Sequence, residues 1–214
     1  MESFTDEKLK EISESPTTEL CRIMHKYGSD KSLGHHNYTK LYDNLFSERR
    51  NEKLTVLEIG IGSINPSIPS NMTGQSNYLP GASIRGWREY FPNAHIYCCD
   101  IDLDVLDIFE NDDNIQSFYL DQTNPALVND VFNKSDLKDI EFDIIIDDGL
   151  HNFPINYMVL EILYPKLKKG GYYIVEDIIN YNKSIVMFNF SKYVTLPNPR
   201  NNVDNNLFIV KKTS

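Results

Sequence analysis

The sequence predicts an α/β protein with a mostly parallel sheet of seven strands, helices on both faces, and an antiparallel strand at the C-terminal edge. From residue 54 onward, short runs of β-branched and aromatic residues alternate with segments of helical periodicity. The runs are almost continuously apolar, which is typical of strands that helices cover on both faces. This alternation indicates a parallel sheet.

The first 50 residues are predicted to form a helical segment that packs on the core. Residues 20–27 and 38–46 carry apolar side chains at helical spacing, and a polar loop at residues 28–37 separates them. Residues 51–214 are predicted to form the ligand-binding part. Because 214 residues is an ordinary length for one compact unit, we expect a single domain overall.

The remaining elements are assigned from the same two patterns. Strands are predicted at residues 54–59, 95–99, 115–120, 142–146, 172–175, 192–195 and 207–210, and helices at residues 83–91, 103–110, 126–132 and 155–167. The connection between the last two strands is short and polar. A crossover to a parallel strand needs about a dozen residues or more, so these two strands are predicted to be antiparallel neighbours.

Composition narrows the classes of partner. The chain has 21 basic and 31 acidic side chains and a net charge of −10, the wrong sign for a protein that must neutralise phosphates. A nucleic-acid partner is therefore not expected. No apolar run approaches the roughly 20 residues that span a bilayer, and the first residues are too polar for a signal peptide. We expect a soluble cytoplasmic protein without a membrane partner, and a homo-oligomer is left open.

A glycine-containing loop follows the first strand. Glu58, Gly60 and Gly62 lie where the carboxyl ends of the strands of an open α/β sheet bind ligands, and glycine lets the backbone approach a ligand closely. A dinucleotide fingerprint would require a third glycine at position 65, which is Asn65. A nicotinamide-dependent dehydrogenase is therefore disfavoured. Taken alone, the loop is also consistent with a buried strand that ends in a turn.

The next two strands also end in polar residues. Asp100 is placed to accept hydrogen bonds from the two hydroxyls of a ribose. Asp121 and Gln122 follow the third strand, where Asp121 could instead be the N-cap of the next helix. An irregular insert at residues 63–81 precedes the helix that carries Ser83 and Arg85, and long inserts of this kind are often functional loops.

Acidic residues and a histidine follow the fourth and fifth strands. If these strands are neighbours, Asp148, Glu176 and Asp177 converge on one point. Three carboxylates repel one another unless a cation is present, and their oxygen ligands favour Mg²⁺ over zinc. His151 lies close enough to act as a general base. The alternative is that the acids are caps and turn residues and that the histidine has no chemical role.

Five segments together resemble one family: YGSDK at residues 27–31, VLEIGIG at 56–62, PGASIRGWREYFP at 80–92, IIIDDGLH at 144–151 and YYIVED at 172–177. The resemblance is to class I methyltransferases, and within them to the metal-dependent sugar O-methyltransferases of the macrocin and mycinamicin type. It implies a Rossmann-like fold and S-adenosylmethionine as cofactor. It further implies Mg²⁺ on Asp148, Glu176 and Asp177, with His151 as base. The resemblance also implies or supports a set of cofactor contacts, in which Asp121 and Gln122 lie near the adenine. The set is Lys31, Glu58, Gly60, Gly62, Ser83, Arg85, Asp100, Asp121, Gln122 and Asp147.

The leading hypothesis is methylation of a hydroxyl on a small molecule that contains a sugar. The metal would lower the pKa of the hydroxyl, and His151 would take its proton before the oxygen attacks the methyl group in line. Methylation of a nitrogen or of a phosphate-type oxygen is the alternative reaction. A cofactor-binding scaffold without catalysis is the alternative of another class.

Overall fold

The computed structural model describes residues 4–179, 191–198, 200–201 and 203–213. Three helices precede the sheet, namely α1 (Asp6–Glu14), α2 (Glu19–Tyr27) and α3 (Tyr38–Phe46), and a 3₁₀ turn follows them at Ser47–Arg49. The hydroxyls of Thr5 and Thr18 cap α1 and α2 by accepting hydrogen bonds from N–H groups in the first turn. Among the described residues, none of the helices is long and apolar enough to cross a membrane.

The seven strands form one sheet in the order β3-β2-β1-β4-β5-β7-β6. β1 to β5 run parallel to one another, whereas β7 is antiparallel to both β5 and β6. The predicted fold class is thus confirmed, including the antiparallel strands at the C-terminal edge. The strands are β1 (Thr55–Ile59), β2 (His95–Asp100), β3 (Ile115–Tyr119), β4 (Phe142–Asp147), β5 (Leu167–Val175), β6 (Ser191–Thr195) and β7 (Asn206–Lys211).

Helices cover both faces of this sheet because its strands bury successive side chains on opposite sides. Val56 of β1 packs into the cluster formed with α1 to α4 (α4, Ala82–Tyr90), while the next residue, Leu57, packs into the cluster on α5 (Pro125–Lys134) and α6 (Phe153–Leu163). The chain runs outward from β1 to β3 on one side and returns to β4 on the other. Ligands of such sheets bind where the order reverses, beyond β1 and β4.

The structure differs from the sequence prediction at three elements. Residues 103–110 form a 3₁₀ helix at Leu103–Phe109, and its aspartates are poor formers of α-helix interiors. α6 ends at Leu163 because Pro165 cannot donate the next helical hydrogen bond. β5 begins at Leu167, ahead of the predicted start at residue 172, and continues through Gly170, which has φ of 82°.

Asp143 holds together the end of the sheet that lies away from the strand carboxyl ends. Its carboxylate accepts hydrogen bonds from Arg49 Nη2 at 2.8 Å, Lys168 Nζ at 2.7 Å and Thr55 N at 2.9 Å. Burial raises the pKa of Asp143, but the hydrogen bonds from Lys168, Thr55 and Arg49 outweigh it, so the pKa lies below its ordinary value. Because the folded pKa is lowered, this carboxylate stabilises the fold above the unfolded pKa and loses that effect as pH falls through the folded pKa.

We expect Asp143→Asn to lower the free energy of unfolding by about 1–2 kcal/mol at pH 7, since it removes charge-assisted hydrogen bonds from partly exposed donors. The difference from the unmodified protein should shrink as the pH falls below about 4, where Asp143 itself takes up a proton. Urea unfolding at pH 7 and at a pH below about 4 measures the difference in the free energy of unfolding. Asp139→Asn, at an exposed position, is the control, and equal stability of the two variants would contradict the prediction.

Candidate functional site

A cavity of about 170 Å³ opens beyond the carboxyl ends of β1, β2 and β4. Most of the predicted site residues line this cavity, namely Lys31, Gly60, Gly62, Ser83, Asp100, Asp121, Gln122, Asp148, His151 and Asp177. The other four, Glu58, Arg85, Asp147 and Glu176, do not line it.

Gly60 and Gly62 shape the cavity floor. Their φ angles of 99° and 85° lie in the left-handed region that favours glycine. A Cβ on Gly60 would lie 2.3 Å from the carbonyl oxygen of Asp148, and one on Gly62 would lie 2.2 Å from the hydroxyl of Tyr78. Both positions therefore need glycine, Gly60 so that the ends of β1 and β4 can approach and Gly62 so that the insert can close over the loop.

Asp100 fixes the glycine loop at the end of β2. Its Oδ2 accepts a hydrogen bond from Ile61 N at 2.7 Å, and its Oδ1 accepts one from Asp102 N at 2.9 Å. Burial raises the pKa of Asp100, and these backbone N–H groups oppose the rise. Each carboxylate oxygen has a further lone pair, so Asp100 can also accept hydrogen bonds from hydroxyl groups of a ligand.

The insert at residues 63–81 covers the cavity. Ile68, Met72 and Tyr78 line its inner side. The insert is tied to the walls on either side, since Ser70 Oγ donates to the carbonyl oxygen of Leu150 at 3.2 Å and Gln75 Nε2 donates to Asp30 Oδ2 at 3.2 Å. The sequence suggested only that such an insert is often functional, and the structure gives it a position over the cavity.

Asp121 does not cap a helix. Its Oδ1 accepts hydrogen bonds from the N–H of Thr123 at 2.8 Å and from its hydroxyl at 2.7 Å, whereas Asn124 caps α5 by accepting from Leu127 N at 3.1 Å. The alternative interpretation of Asp121 as an N-cap is therefore wrong. Its carboxylate borders the cavity, and its contact with a cofactor stays a prediction.

Gln122 links the cavity wall to the buried Asp147. Its Nε2 donates to Asp147 Oδ1 at 2.7 Å, and its Oε1 accepts from Leu150 N at 2.9 Å. Tyr173 Oη donates to the other oxygen of Asp147 at 3.0 Å. Asp147 is fully buried, which raises its pKa to about 6. Asp147 thus supports the wall from behind, and its predicted role as a cofactor contact stays a prediction.

Glu58 and Arg85 do not line the cavity. Glu58 is completely buried and accepts a hydrogen bond from Trp87 Nε1 at 2.6 Å. Arg85 lines a different pocket, over the ring of Phe109, and its Nη1 donates to the carbonyl oxygen of Pro80 at 2.7 Å, at the end of the insert. Their predicted contacts with a cofactor stay predictions.

Asp148, His151 and Asp177 meet at one edge of the cavity. Each offers one ligand atom, and the three atoms lie within 4.8 Å of one another. Asp148 Oδ1 is 3.4 Å from His151 Nε2, and Asp177 Oδ2 is 3.7 Å from His151 Nδ1. His151 and Asp177 both have φ of 54°, a backbone conformation that side-chain-bearing residues rarely adopt and that is found often at functional sites.

Each of these two aspartates keeps one oxygen for the cavity, because its other oxygen is bound by the protein. Asp148 Oδ2 pairs with Lys31 Nζ. Asp177 Oδ1 accepts a hydrogen bond from Tyr38 Oη at 2.8 Å and lies 3.4 Å from His36 Nε2. The remaining oxygens, Asp148 Oδ1 and Asp177 Oδ2, flank the imidazole of His151.

Glu176 differs from the other predicted metal ligands in its hydrogen bonds. Its Oε2 accepts from Lys31 Nζ at 2.7 Å, and its Oε1 accepts from Tyr42 Oη at 2.5 Å. Burial raises its pKa well above the ordinary value, and the Lys31 charge opposes that rise. Both oxygens thus have protein donors, so the prediction of Glu176 as a metal ligand stays a prediction.

The charges around His151 decide its protonation. Burial lowers the pKa of His151, but the hydrogen bond and charge of Asp148, together with the charge of Asp177, raise it to about 9. In this arrangement the imidazole holds a proton at neutral pH. A cation between the two carboxylates would offset the charges that raise the pKa.

Tyr38 and Tyr42 are not among the residues predicted to hold the cofactor or the metal or to act as base. Their apolar spacing in α3 indicated core packing, and both are indeed fully buried. Each hydroxyl nevertheless donates to an acidic residue, Tyr38 to Asp177 and Tyr42 to Glu176. The signal available in the sequence was the residue type, because a buried tyrosine usually finds a partner for its hydroxyl.

Sequence comparison gives relatives with sugar substrates, although no protein-family model matches the chain. The demethylmacrocin O-methyltransferase of Streptomyces fradiae is 32% identical over 167 residues, 77% of this chain and 37% of that protein. The mycinamicin VI 2″-O-methyltransferase of Micromonospora griseorubida is 30% identical over 164 residues, 75% of this chain and 36% of that protein. The chain thus spans little more than a third of the length of these relatives.

Comparison with solved structures also gives methyltransferases. MycE, a methyltransferase of the mycinamycin biosynthetic pathway solved with Mg, S-adenosylhomocysteine (SAH) and mycinamycin VI, superposes with a TM-score of 0.59 at 29% identity, over 77% of this chain and 38% of that one. The Methanococcus jannaschii fibrillarin pre-rRNA processing protein, at 15% identity and a TM-score of 0.51, shares the fold alone, over 77% of this chain and 69% of that one. The chain therefore has the class I methyltransferase fold and is a relative of the sugar O-methyltransferases of the macrocin and mycinamicin type.

Proposed function

We propose that this protein is an S-adenosylmethionine-dependent, magnesium-assisted O-methyltransferase that acts on a hydroxyl of a sugar-containing small molecule. The observation that carries the proposal is the pair of carboxylate oxygens, Asp148 Oδ1 and Asp177 Oδ2, that face the cavity on either side of His151. They lie at the edge of the same cavity whose wall includes the glycine loop and Asp100.

The cavity fits an adenosyl cofactor. Gly60 and Gly62 keep the end of β1 free of side chains, and Asp100 presents carboxylate oxygens for ribose hydroxyls. Asp121 and Gln122 follow β3 on the cavity wall and are proposed to lie near the adenine. S-adenosylmethionine would supply an electrophilic methyl group on its sulfonium sulfur.

The acidic edge fits a divalent metal ion. Hard cations such as Mg²⁺ prefer carboxylate oxygens, and Asp148 and Asp177 would hold the ion through the oxygens that face the cavity. When bound, Mg²⁺ would supply Lewis-acid chemistry that lowers the pKa of a hydroxyl. Two of the three predicted metal ligands, Asp148 and Asp177, lie together with His151, whereas Glu176 already has two protein donors.

His151 would take the proton of the acceptor hydroxyl. Its Nε2 and Nδ1 face the two aspartates, and a neutral imidazole at this position can accept a proton through its one unprotonated nitrogen. The pKa of about 9 arises from Asp148 and Asp177, so the imidazole becomes neutral at physiological pH once their charges are balanced. Removing the proton gives the acceptor oxygen the charge it needs for attack on carbon.

The relatives support the proposed acceptor class, since they are named as O-methyltransferases and two of the names include a glycosyl group, rhamnosyl tetracenomycin-C and L-olivosyl-oleandolide. Transfer of labelled methyl from S-adenosylmethionine to a panel of glycosides, amines and phosphates tests it, with product expected from glycosides. Product from amines or phosphates alone would favour the alternative reaction. Retained binding of SAH without product from any acceptor would favour a non-catalytic scaffold.

Tyr78 should contribute to cofactor binding. Its ring packs against Gly62, and it lines the cavity from the insert. We expect Tyr78→Ala to weaken SAH binding by about tenfold, the effect of losing part of a buried aromatic contact of about 1.4 kcal/mol. Calorimetric titration measures the dissociation constant.

The neighbouring residue provides a matched control. Leu79 belongs to the same insert but is 66% exposed and does not line the cavity, so Leu79→Ala should bind SAH as the unmodified protein does. Tyr78→Phe separates the ring from the hydroxyl and should retain most of the affinity. Equal dissociation constants for Tyr78→Ala and Leu79→Ala would show that the insert does not contact the cofactor.

A further inference from the structure

Lys31 lies at the centre of the acidic cluster formed by Glu58, Asp148, Glu176 and Asp177. Only 1% of its side chain is exposed. Its ammonium contacts Asp148 Oδ2 and lies 2.7 Å from Glu176 Oε2 and 3.3 Å from Glu58 Oε1. Two of these contacts are hydrogen bonds, to Asp148 and Glu176, and the third is an ion pair with Glu58. The contact of Lys31 with a cofactor that the sequence predicted stays a prediction.

The carboxylates depend on this ammonium. Glu58 is fully buried, and within the described residues its Oε1 accepts no hydrogen bond, so its charge is met by Lys31 at 3.3 Å. Taking an ionised carboxylate out of water without a partner costs several kcal/mol. Lys31 supplies an ammonium that Glu58 shares with Asp148 and Glu176.

Asp148 is shared between Lys31 and the open side of the cluster. Its Oδ2 pairs with the ammonium, and its Oδ1 faces His151 and the cavity. In two-metal sites two ions stand about 3.5–4 Å apart and together clamp the reacting oxygens of the substrate. Here an ammonium stands on one side of a shared carboxylate and the open position is on the other.

We propose that Lys31 is a fixed cation that takes the place of a second metal ion and limits the acidic cluster to one divalent cation. Lys31 is thus a positioning residue: it holds Asp148 and Glu176 in place and bridges them to Glu58 on the strand that carries the glycine loop. The inference rests on the metal site of the proposed function. It goes beyond that function by assigning the number of ions and the residue that sets this number.

Titration of the full chain with Mg²⁺ by calorimetry, and with Mn²⁺ by electron paramagnetic resonance, tests the inference. The unmodified protein should bind one ion per chain. Lys31→Met keeps the length of the side chain and removes its charge, and it should bind two, with a spectrum broadened by coupling between neighbouring Mn²⁺ ions. Lys31→Arg retains the cation and should bind one.

Loss of Lys31 leaves Glu58 buried without a counter-ion, so Lys31→Met should unfold at a lower urea concentration in EDTA. Lys31→Met with Glu58→Gln removes that unpaired charge and should regain stability. This double variant keeps Asp148 and Glu176 and should also bind two ions, so it gives an answer even where the single variant does not fold. SAH affinity should change less than about threefold in a folded variant.

The outcomes separate this inference from the proposed function. One ion in both the unmodified protein and the folded Lys31 variants would overturn the inference and leave the metal-assisted reaction intact. No ion in the unmodified protein would overturn the metal part of the proposed function and the inference with it. Unchanged ion number with SAH binding weakened at least about tenfold would return Lys31 to the role of a cofactor contact.

Discussion

Replacing His151 with asparagine is expected to slow methyl transfer by about 10²–10⁴-fold, the usual contribution of a general base. Among the described residues that line the cavity, His151 carries the only imidazole. Its two nitrogens face Asp148 at 3.4 Å and Asp177 at 3.7 Å, so both carboxylates orient the ring. Asparagine removes the basic nitrogen and tolerates the left-handed backbone with φ of 54°, which alanine would adopt with more strain.

The measurement is the single-turnover rate of labelled methyl transfer to a glycoside acceptor, together with the SAH dissociation constant. The affinity for SAH should stay within a few-fold, because His151 is proposed to act on the acceptor. His25→Ala changes a histidine that is exposed on α2, and should leave both quantities unchanged. A rate for His151→Asn within about threefold of the unmodified protein would remove the histidine from the chemistry.

The parts of the site that the sequence predicted are those at strand ends. Asp100, Asp148 and Asp177 each follow a strand that apolar runs had located, and parallel strands bring their carboxyl ends to one edge of a sheet. The glycines of the loop were predictable for the same reason. In these cases local sequence pattern and a general rule of topology were sufficient.

Other parts of the site depend on contacts between distant segments, which no local pattern encodes. Lys31 and Glu176 are separated by 145 positions in the sequence, and Tyr42 reaches the same carboxylate from α3. Nothing in the spacing of the helix says which buried tyrosine will face an acid. The position of the 63–81 insert is equally non-local, since it follows from its hydrogen bonds to Asp30 and Leu150.

The helix boundaries show a different limit. The pattern of apolar residues could not distinguish the 3₁₀ segment Leu103–Phe109 from an α-helix, because both bury residues at similar spacing. Likewise the predicted start of β5 at residue 172 is where regular pairing with β4 begins, because Phe142 pairs with Leu167 and Ile144 with Tyr172. The residues between them form a bulge in β5 that the apolar pattern did not indicate.

Asp148→Asn and Asp177→Asn are expected to weaken Mg²⁺ binding by at least about 100-fold and to lower methyl transfer to a similar extent, because each removes a charged oxygen ligand. The affected atoms are Asp148 Oδ1 and Asp177 Oδ2, the oxygens that face the cavity. EDTA should abolish turnover by the unmodified protein, and added Mg²⁺ should restore it. Calorimetric titration with Mg²⁺ gives the affinity independently of turnover.

Asp148→Asn and Asp177→Asn keep the shape of the side chain and remove its negative charge. Asparagine tolerates the left-handed backbone of Asp177, whose φ is 54°, so a loss of metal affinity there would not arise from backbone strain. Asp104→Asn, at an exposed acid in the segment after β2, provides the control and should bind Mg²⁺ normally. Full turnover in EDTA, with unchanged turnover by both aspartate variants, would mean that removal of the acceptor proton needs no metal. It would also contradict the role of His151 as base, because without a metal the pKa of about 9 keeps the imidazole protonated at neutral pH.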